Sequence, residues 1–122
     1  MALTYEDITE DIIGSAFEVY NVLGYGFLEK VYQKALQVEL LNRGRTAELE
    51  HRIIVKFKGT IVGEYEADLF VDDKVIVELK ITKNYNPKDE PQLLNELKAT
   101  GIKVGLLINF GKEKVEFKRF IY

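Results

Sequence analysis

Asp68, Glu78 and Lys80 lie within one stretch, Glu66 to Ile81, which reads EADLFVDDKVIVELKI. Two carboxylates beside a fixed positive charge suit the binding of a hard cation. Whether they meet depends on register. Asp72 and Asp73 are turn residues between β-branched and aromatic runs, so the stretch reads as a hairpin. A two-residue loop would put Asp68 and Glu78 on opposite faces. A three-residue loop, Asp72 to Lys74, pairs Val71 with Val75, Leu69 with Val77 and Ala67 with Leu79, which leaves one face wholly apolar. The other face then sets Asp68 across from Glu78, and Glu66 across from Lys80. A one-residue slip exchanges the faces, so the apolar face selects the three-residue loop. Directly opposed residues hold their Cβ atoms ~4.5–5.5 Å apart, where two carboxylates repel unless a cation or a proton lies between them. The same charges also fit a solvated outer face of an antiparallel sheet, with Lys80 in a salt bridge to Glu66.

The elements around this hairpin follow from periodicity. Thr4 is placed as an N-cap, with Glu6 and Asp7 in the first turn, and Ile8, Ile12, Ala16, Val19, Tyr20 and Leu23 keep helical spacing, so Tyr5 to Leu23 is an amphipathic helix. Gly24-Tyr25-Gly26 breaks it. A second helix runs from Leu28 to Asn42, with Leu28, Val31, Tyr32, Ala35, Leu36, Leu40 and Leu41 on its buried side and Gly44 at C′. Ile53, Val55 and Phe57 alternate in a strand ending at Gly59, and the hairpin strands follow. Thr82 to Glu90 is a polar loop. Asp89 with Gln92 three residues on reads as a capping box, opening a helix that buries Leu93, Leu94 and Leu97 and stops near Thr100-Gly101. Val104 to Phe110 has the pattern of a strand covered on both faces, and Val115 to Ile121 alternates to the end. The order is α-α-β-β-β-α-β-β. The crossover predicts Val104–Phe110 parallel to Val75–Ile81, hence a mixed sheet.

Composition bounds the function. The chain has 122 residues, 47% hydrophobic and 30% charged, the proportions of one globular α/β domain spanning 1–122. Without cysteine there is no disulfide and no thiolate metal site, and one histidine excludes a multi-His zinc site within a protomer. No apolar run is long enough to span a bilayer and the first residues are acidic, so the expectation is a cytoplasmic protein with no membrane partner. A net charge of −3 argues against nonspecific nucleic-acid binding through the overall field, though not against a site whose metal supplies local positive charge.

Asp68 on one strand, Glu78-Leu79-Lys80 on the next and Gln92 on the following helix resemble the pattern of the PD-(D/E)XK nuclease superfamily. Gly26 to Tyr32, GFLEKVY, resembles the signature of the GxxExxY protein family, assigned to that superfamily. The text GFLEKVYQKAL, YEADLFVDDKVIVELK and EPQLLNELKATGIKVGLLINFG is similar to that family over most of the chain. Two departures stand out. Ala67 replaces the proline of the superfamily's name, and Glu96 stands where NYLKATG would place a tyrosine. The resemblance implies a restriction-endonuclease-like mixed central sheet flanked by helices. It also implies Mg²⁺ (or Mn²⁺) held by Asp68, Glu78 and the Leu79 carbonyl, with Lys80 acting on the attacking water or the transition-state charge. Glu29 would be an extra acid at the metal cluster, against the plainer reading of a helix-start charge. Gln92 would bond a nucleotide or water, or serve only its helix start. Tyr32 is either a site hydroxyl or core. Gly26 supplies a positive φ at the helix entry. Asp72 and Asp73 are read as turn residues only, and His51 as surface.

Three functions remain open at this stage. The first is a small Mg²⁺-dependent nuclease acting on a nucleic acid of unspecified type. The second is a catalytically idle nuclease fold that binds nucleic acid, and the third is a protein-interaction module. The joint presence of Asp68, Glu78, Lys80, Glu29 and Gln92 favours the first, and the lack of a basic stripe or aromatic platform counts against the second. So short a chain leaves substrate recognition to a homodimer or a partner protein.

Overall fold

The computed structural model describes residues 4–122. Helices α1 (Glu6–Leu23) and α2 (Glu29–Asn42) precede strands β1 (Ala47–Phe57), β2 (Thr60–Val71) and β3 (Val75–Lys80). Helix α3 (Glu90–Thr100) then leads to β4 (Val104–Phe110) and β5 (Val115–Ile121), the expected order. The five strands form one mixed sheet in the order β1-β2-β3-β4-β5. Only β3 and β4 run parallel, joined through α3, because a parallel pair needs a crossover that a tight turn cannot provide. This is the restriction-endonuclease-like arrangement that the sequence predicts. Among the described residues no helix is long and apolar enough to cross a membrane.

The sheet is covered on both faces. Ile8, Ile12, Ala16 and Val19 of α1, with Tyr32, Leu36 and Leu40 of α2, pack on Leu69, Val71, Val77, Leu79, Leu106 and Ile108. On the other face Leu93 and Leu97 of α3 pack on Ile53, Phe70, Ile76 and Leu107. Each leucine buried in these layers contributes roughly 1.5–3 kcal/mol by leaving water. β4 is buried along its whole length, as a strand between two helical layers must be. A Cβ at Gly105 would lie 2.8 Å from Leu93 Cδ1, so the glycine lets α3 seat directly on β4.

The hairpin has the three-residue loop. Val71 pairs with Val75, Phe70 with Ile76 and Leu69 with Val77, and Asp72 (φ 52°) and Asp73 (φ 55°) occupy the left-handed region. Asp72 is more than a turn residue. Its carboxylate accepts hydrogen bonds from Arg45 Nη1 at 2.9 Å and from the Thr46 amide at 2.8 Å, while Arg45 Nε donates to Asp11. The turn is thereby tied to α1 and to the start of β1.

Beyond Leu69 the hairpin departs from the expected flat ladder. Pairing between β2 and β3 ends at Leu69 and Val77. On the outer side, Leu49 pairs with Leu69 and His51 with Ala67, with Glu50 and Asp68 between them. Leu49 and Leu69 pack on the α1–α2 side, yet Ile53 and Ala67 pack on the α3 side. Both separations are even, so a regular strand would keep each pair on one face. Glu50, at φ 55°, marks the place where the rotation occurs. Each strand absorbs one residue, so the register survives while the faces exchange. Ala67 is therefore not on the apolar face shared by Leu69 and Leu79.

Other expectations need smaller corrections. Thr4 does not cap α1; Tyr5, in the left-handed region, occupies that position, and its carbonyl accepts from Ile8 and Thr9. On α2 the side chains of Leu28, Val31 and Leu41 are exposed, and Gln33 is buried in their stead. The capping box at α3 does not form: the Asn86 side chain accepts from the Lys88 amide in a preceding 3-10 turn, and Asp89 makes no cap bond. Leu94 is exposed, whereas Glu96 is buried. β1 begins at Ala47, before the alternating run, because Ala47, Glu48 and Leu49 pair with Val71, Phe70 and Leu69; Gln37 Nε2 of α2 donates to the Ala47 carbonyl. His51 is half-buried, its ring 4.5 Å from that of Phe70.

Candidate metal centre and its setting

Where β2 and β3 part, Asp68 fills the gap. Its carboxylate accepts the Leu79 amide at 2.7 Å, in place of a ladder bond, and its own carbonyl accepts from Gln33 Nε2 of α2 at 2.8 Å. The side chain is thus held near the plane of the sheet, between the α2 face and the α3 face. Gln33 was not singled out from the sequence. A glutamine among apolar helix residues carries no signal until the strand carbonyl it serves is placed opposite it.

Glu78 follows Ile76 on the α3 face and is almost fully buried, as is Glu96 on the turn of α3 that covers it. Burial, contact with the Glu96 carboxylate and the charge of Asp68 together push the Glu78 carboxyl up to about 11. Oε1 of Glu78 and Oε1 of Glu96 are both buried without a hydrogen-bond partner. The second oxygen of Glu96 accepts from Gln92 Nε2 at 3.2 Å. Gln92 is therefore an exposed residue turned toward the buried acids.

Glu29 opens α2 on the opposite side. Partial burial raises its carboxyl, the Asp68 charge and hydrogen-bonding contact add to that, and Lys80 offsets it. Lys80 makes no ion pair among the described residues, so the salt bridge to Glu66 is not formed; Glu66 instead stands opposite Arg52. Lys80 is half-buried and aligned with Asn109 of β4, whose amide side chain accepts the Thr82 amide and donates to the Thr82 carbonyl. That clamp fixes the exit of β3, and nothing in the sequence pointed to it.

The structure thus sets Asp68 within electrostatic reach of both Glu29 and Glu78, Lys80 within reach of Glu29, and Glu96 beside Glu78. Leu79 contributes its amide to Asp68, and its side chain is in the core. Tyr32 stands apart. Its ring is stacked on Phe110 at 4.4 Å, and its hydroxyl donates to the Gly24 carbonyl at 2.5 Å, so it fastens the loop that leads into Glu29. Gly26, at φ 113°, has no atom within 4 Å of where a Cβ would lie, so backbone conformation rather than crowding calls for glycine. Beside Asp68 opens a cavity of about 260 Å³ lined by Glu29, Lys30, Gln33, Glu50, Glu66 and Asp68, bridged by the Lys30–Glu50 ion pair.

Among the described residues no three acidic or histidine side chains are gathered closely enough to enclose an ion unaided. The donors nevertheless fit a hard divalent cation. They are all oxygens, and two buried carboxylate oxygens lack any partner, a cost that a bound cation would offset. Magnesium in particular takes one or two carboxylates and keeps several waters, so a complete protein cage is not required.

Solved structures share the fold. The crystal structure of SSO0001 superposes with a TM-score of 0.59 at 17% sequence identity, over 96% of this chain and 59% of that one. The chain therefore spans about three-fifths of that protein's length. An alkaline exonuclease, LHK-Exo from Laribacter hongkongensis, gives a TM-score of 0.41 at 11% identity, over 93% of this chain and 81% of that one, too distant to bear on function. No curated protein matches the chain. A family model described as the PD-(D/E)XK nuclease superfamily matches residues 6–120, nearly the whole chain. Together with the parted hairpin and its carboxylates, that match places this chain in the PD-(D/E)XK nuclease superfamily.

Proposed function

We propose that the protein is a metal-dependent nuclease that hydrolyses phosphodiester bonds of nucleic acid, with Mg²⁺ or Mn²⁺ held by Asp68, Glu78 and the Leu79 carbonyl. The observation that carries this reading is the burial of Glu78 against Glu96, each with an unpartnered oxygen, beside an Asp68 fixed by a backbone amide. Such groups stay buried together only with a proton or a cation to offset their desolvation, and the all-oxygen donor set suits a hard cation. When bound, the ion supplies Lewis acidity toward a phosphoryl oxygen and a more acidic water. Asp68, already locked by Leu79 and Gln33, orients that charge without reorganisation. Lys80, free of any ion pair among the described residues, is available to hold the attacking water or to balance charge on phosphorus. Glu29 lines the cavity beside Asp68, and Gln92 reaches the buried Glu96 from the surface of α3. Within the superfamily, the resemblance of the GFLEKVY segment to the GxxExxY signature supports assignment to that group, and the same reading has the protein act in the cytoplasm. A second copy or a partner protein would supply further grip on the substrate.

Mn²⁺ titration by calorimetry tests this directly. The expected result is saturable binding that is weakened at least tenfold by Asp68→Asn and by Glu78→Gln, by analogy with the loss on removing a ligand's support. Equal binding by all three proteins would place the metal elsewhere and remove the basis of the reading.

A further inference from the structure

A second groove lies on the α3 face, between that helix and the long β1–β2 hairpin. It has a volume of about 440 Å³ and is lined by Val55, Lys56, Tyr65, Asn95, Lys98 and Ala99. Every polar side chain in it is uncommitted. Among the described residues, Lys56 and Lys98 have no carboxylate partner, although the chain carries more acids than bases. The Tyr65 hydroxyl and the Asn95 amide also make no hydrogen bond, while the half-buried Tyr65 ring rests against the Ile53–Ala67 layer. Two unpaired lysines on facing walls thus flank an aromatic ring. The groove shares helix α3 with the buried Glu96. Asn95 borders it from the same turn of α3 that carries the buried Glu96, and Gln92 lies one turn nearer the start of the helix.

We infer that this groove is the substrate track, and that it takes a single strand of nucleic acid with phosphates on Lys56 and Lys98 and a base against Tyr65. This rests on the nuclease reading for its occupant but not for its geometry. An unpaired strand is favoured because its bases are free to meet an aromatic ring, whereas a duplex hides them in the stack. Two lysines offer two phosphate contacts, enough to engage one backbone and far too few to hold a duplex electrostatically. The acids of the metal site would repel the same backbone, so a bound strand needs positive charge on this side to reach them.

Fluorescence anisotropy with labelled single-stranded DNA, single-stranded RNA and a duplex, in Ca²⁺ to limit cleavage, tests the assignment. Single strands should bind more tightly than the duplex, and the DNA and RNA arms identify which strand is preferred. Lys56→Glu with Lys98→Glu should weaken single-strand binding at least tenfold and reduce the slope of log K against log salt by about 1.4, from two phosphate contacts at ~0.7 each. Tyr65→Ala should weaken it roughly tenfold and Tyr65→Phe should restore it, since stacking needs the ring and not the hydroxyl. Both lysines are exposed, so their replacement leaves the fold intact. Unchanged affinity and salt slope in the lysine variant, or tighter binding of the duplex, would overturn the track. If cleavage is retained while the lysine variant binds normally, the track fails and the nuclease reading stands. If no nucleic acid binds or is cleaved, both fail.

Discussion

Stability should fall as pH rises in the metal-free protein, and Glu78 should be the reason. Burial, the neighbouring Glu96 and the charge of Asp68 push the Glu78 carboxyl up to about 11 when folded, against an ordinary carboxyl value of 4.5. The folded state therefore keeps a proton that the unfolded chain releases. With more protons bound when folded, the contribution is fully present below the unfolded pKa and is lost as pH rises toward the folded one. One such group costs about 1.4 kcal/mol per pH unit inside that window, so raising the pH from about 6 to about 8 removes about 2.7 kcal/mol. Any folded-state value well above 8 gives nearly the same figure. Urea unfolding in a chelating buffer at the two pH values measures it. Glu78→Gln keeps a donor and the side-chain shape but has no proton to lose, so it should be the more stable protein at the upper pH and lack this component of the slope. Saturating Mn²⁺ should also flatten the slope, since the ion takes the place of the proton. Identical pH dependence in Glu78→Gln and the original protein would refute the account of the buried acid.

Other outcomes follow from individual contacts. Gln33→Ala leaves the Asp68 carbonyl without its donor and should cost roughly 1–3 kcal/mol in denaturant unfolding, with a matching loss of Mn²⁺ affinity as Asp68 loosens. Tyr32→Phe keeps the Phe110 stack and removes the bond to the Gly24 carbonyl and the long one from the Phe27 amide; it should cost about 1 kcal/mol and leave metal binding intact, whereas a large loss of Mn²⁺ affinity would put the hydroxyl in the site. Asp68→Asn retains an acceptor for the Leu79 amide and relieves repulsion with Glu78, so without metal it should be neutral or stabilising, while Mg²⁺ or Mn²⁺ raises its melting temperature less than that of the original protein.

The hairpin register was legible because faces and period are coupled: only one loop length leaves Leu69, Val75, Val77 and Leu79 on a single apolar side. The element order and the parallel β3–β4 pair followed from the same periodicity. What the pattern could not carry was the exchange of faces at Glu50 and Asp68. Two acids in alternating strands look like ordinary outward positions, and the paired insertion leaves the register unchanged. That exchange moves Asp68 from a place directly opposite Glu78 into the gap between strands. Glu96 was visible only as a departure, because its burial depends on the turn of α3 that lies over Glu78. Leu28, Val31 and Leu41 misled for the opposite reason: apolar residues next to a helix's true core stripe add to the periodicity without being covered.

Cleavage of a nucleic-acid panel by the original protein and by Lys80→Ala tests the central claim most directly. Single- and double-stranded DNA and RNA, linear and branched, are incubated with Mg²⁺, Mn²⁺ or Ca²⁺, while calorimetry follows Mn²⁺ binding in both proteins. Hydrolysis of at least one substrate is expected with Mg²⁺ or Mn²⁺ and little with Ca²⁺, because the larger ion satisfies carboxylates but polarises water less. Lys80→Ala should lose most turnover and keep its Mn²⁺ affinity, since Lys80 acts on water or transition-state charge and is not a ligand. No cleavage anywhere in the panel, or cleavage undiminished in Lys80→Ala, would contradict the account and leave an idle nuclease fold.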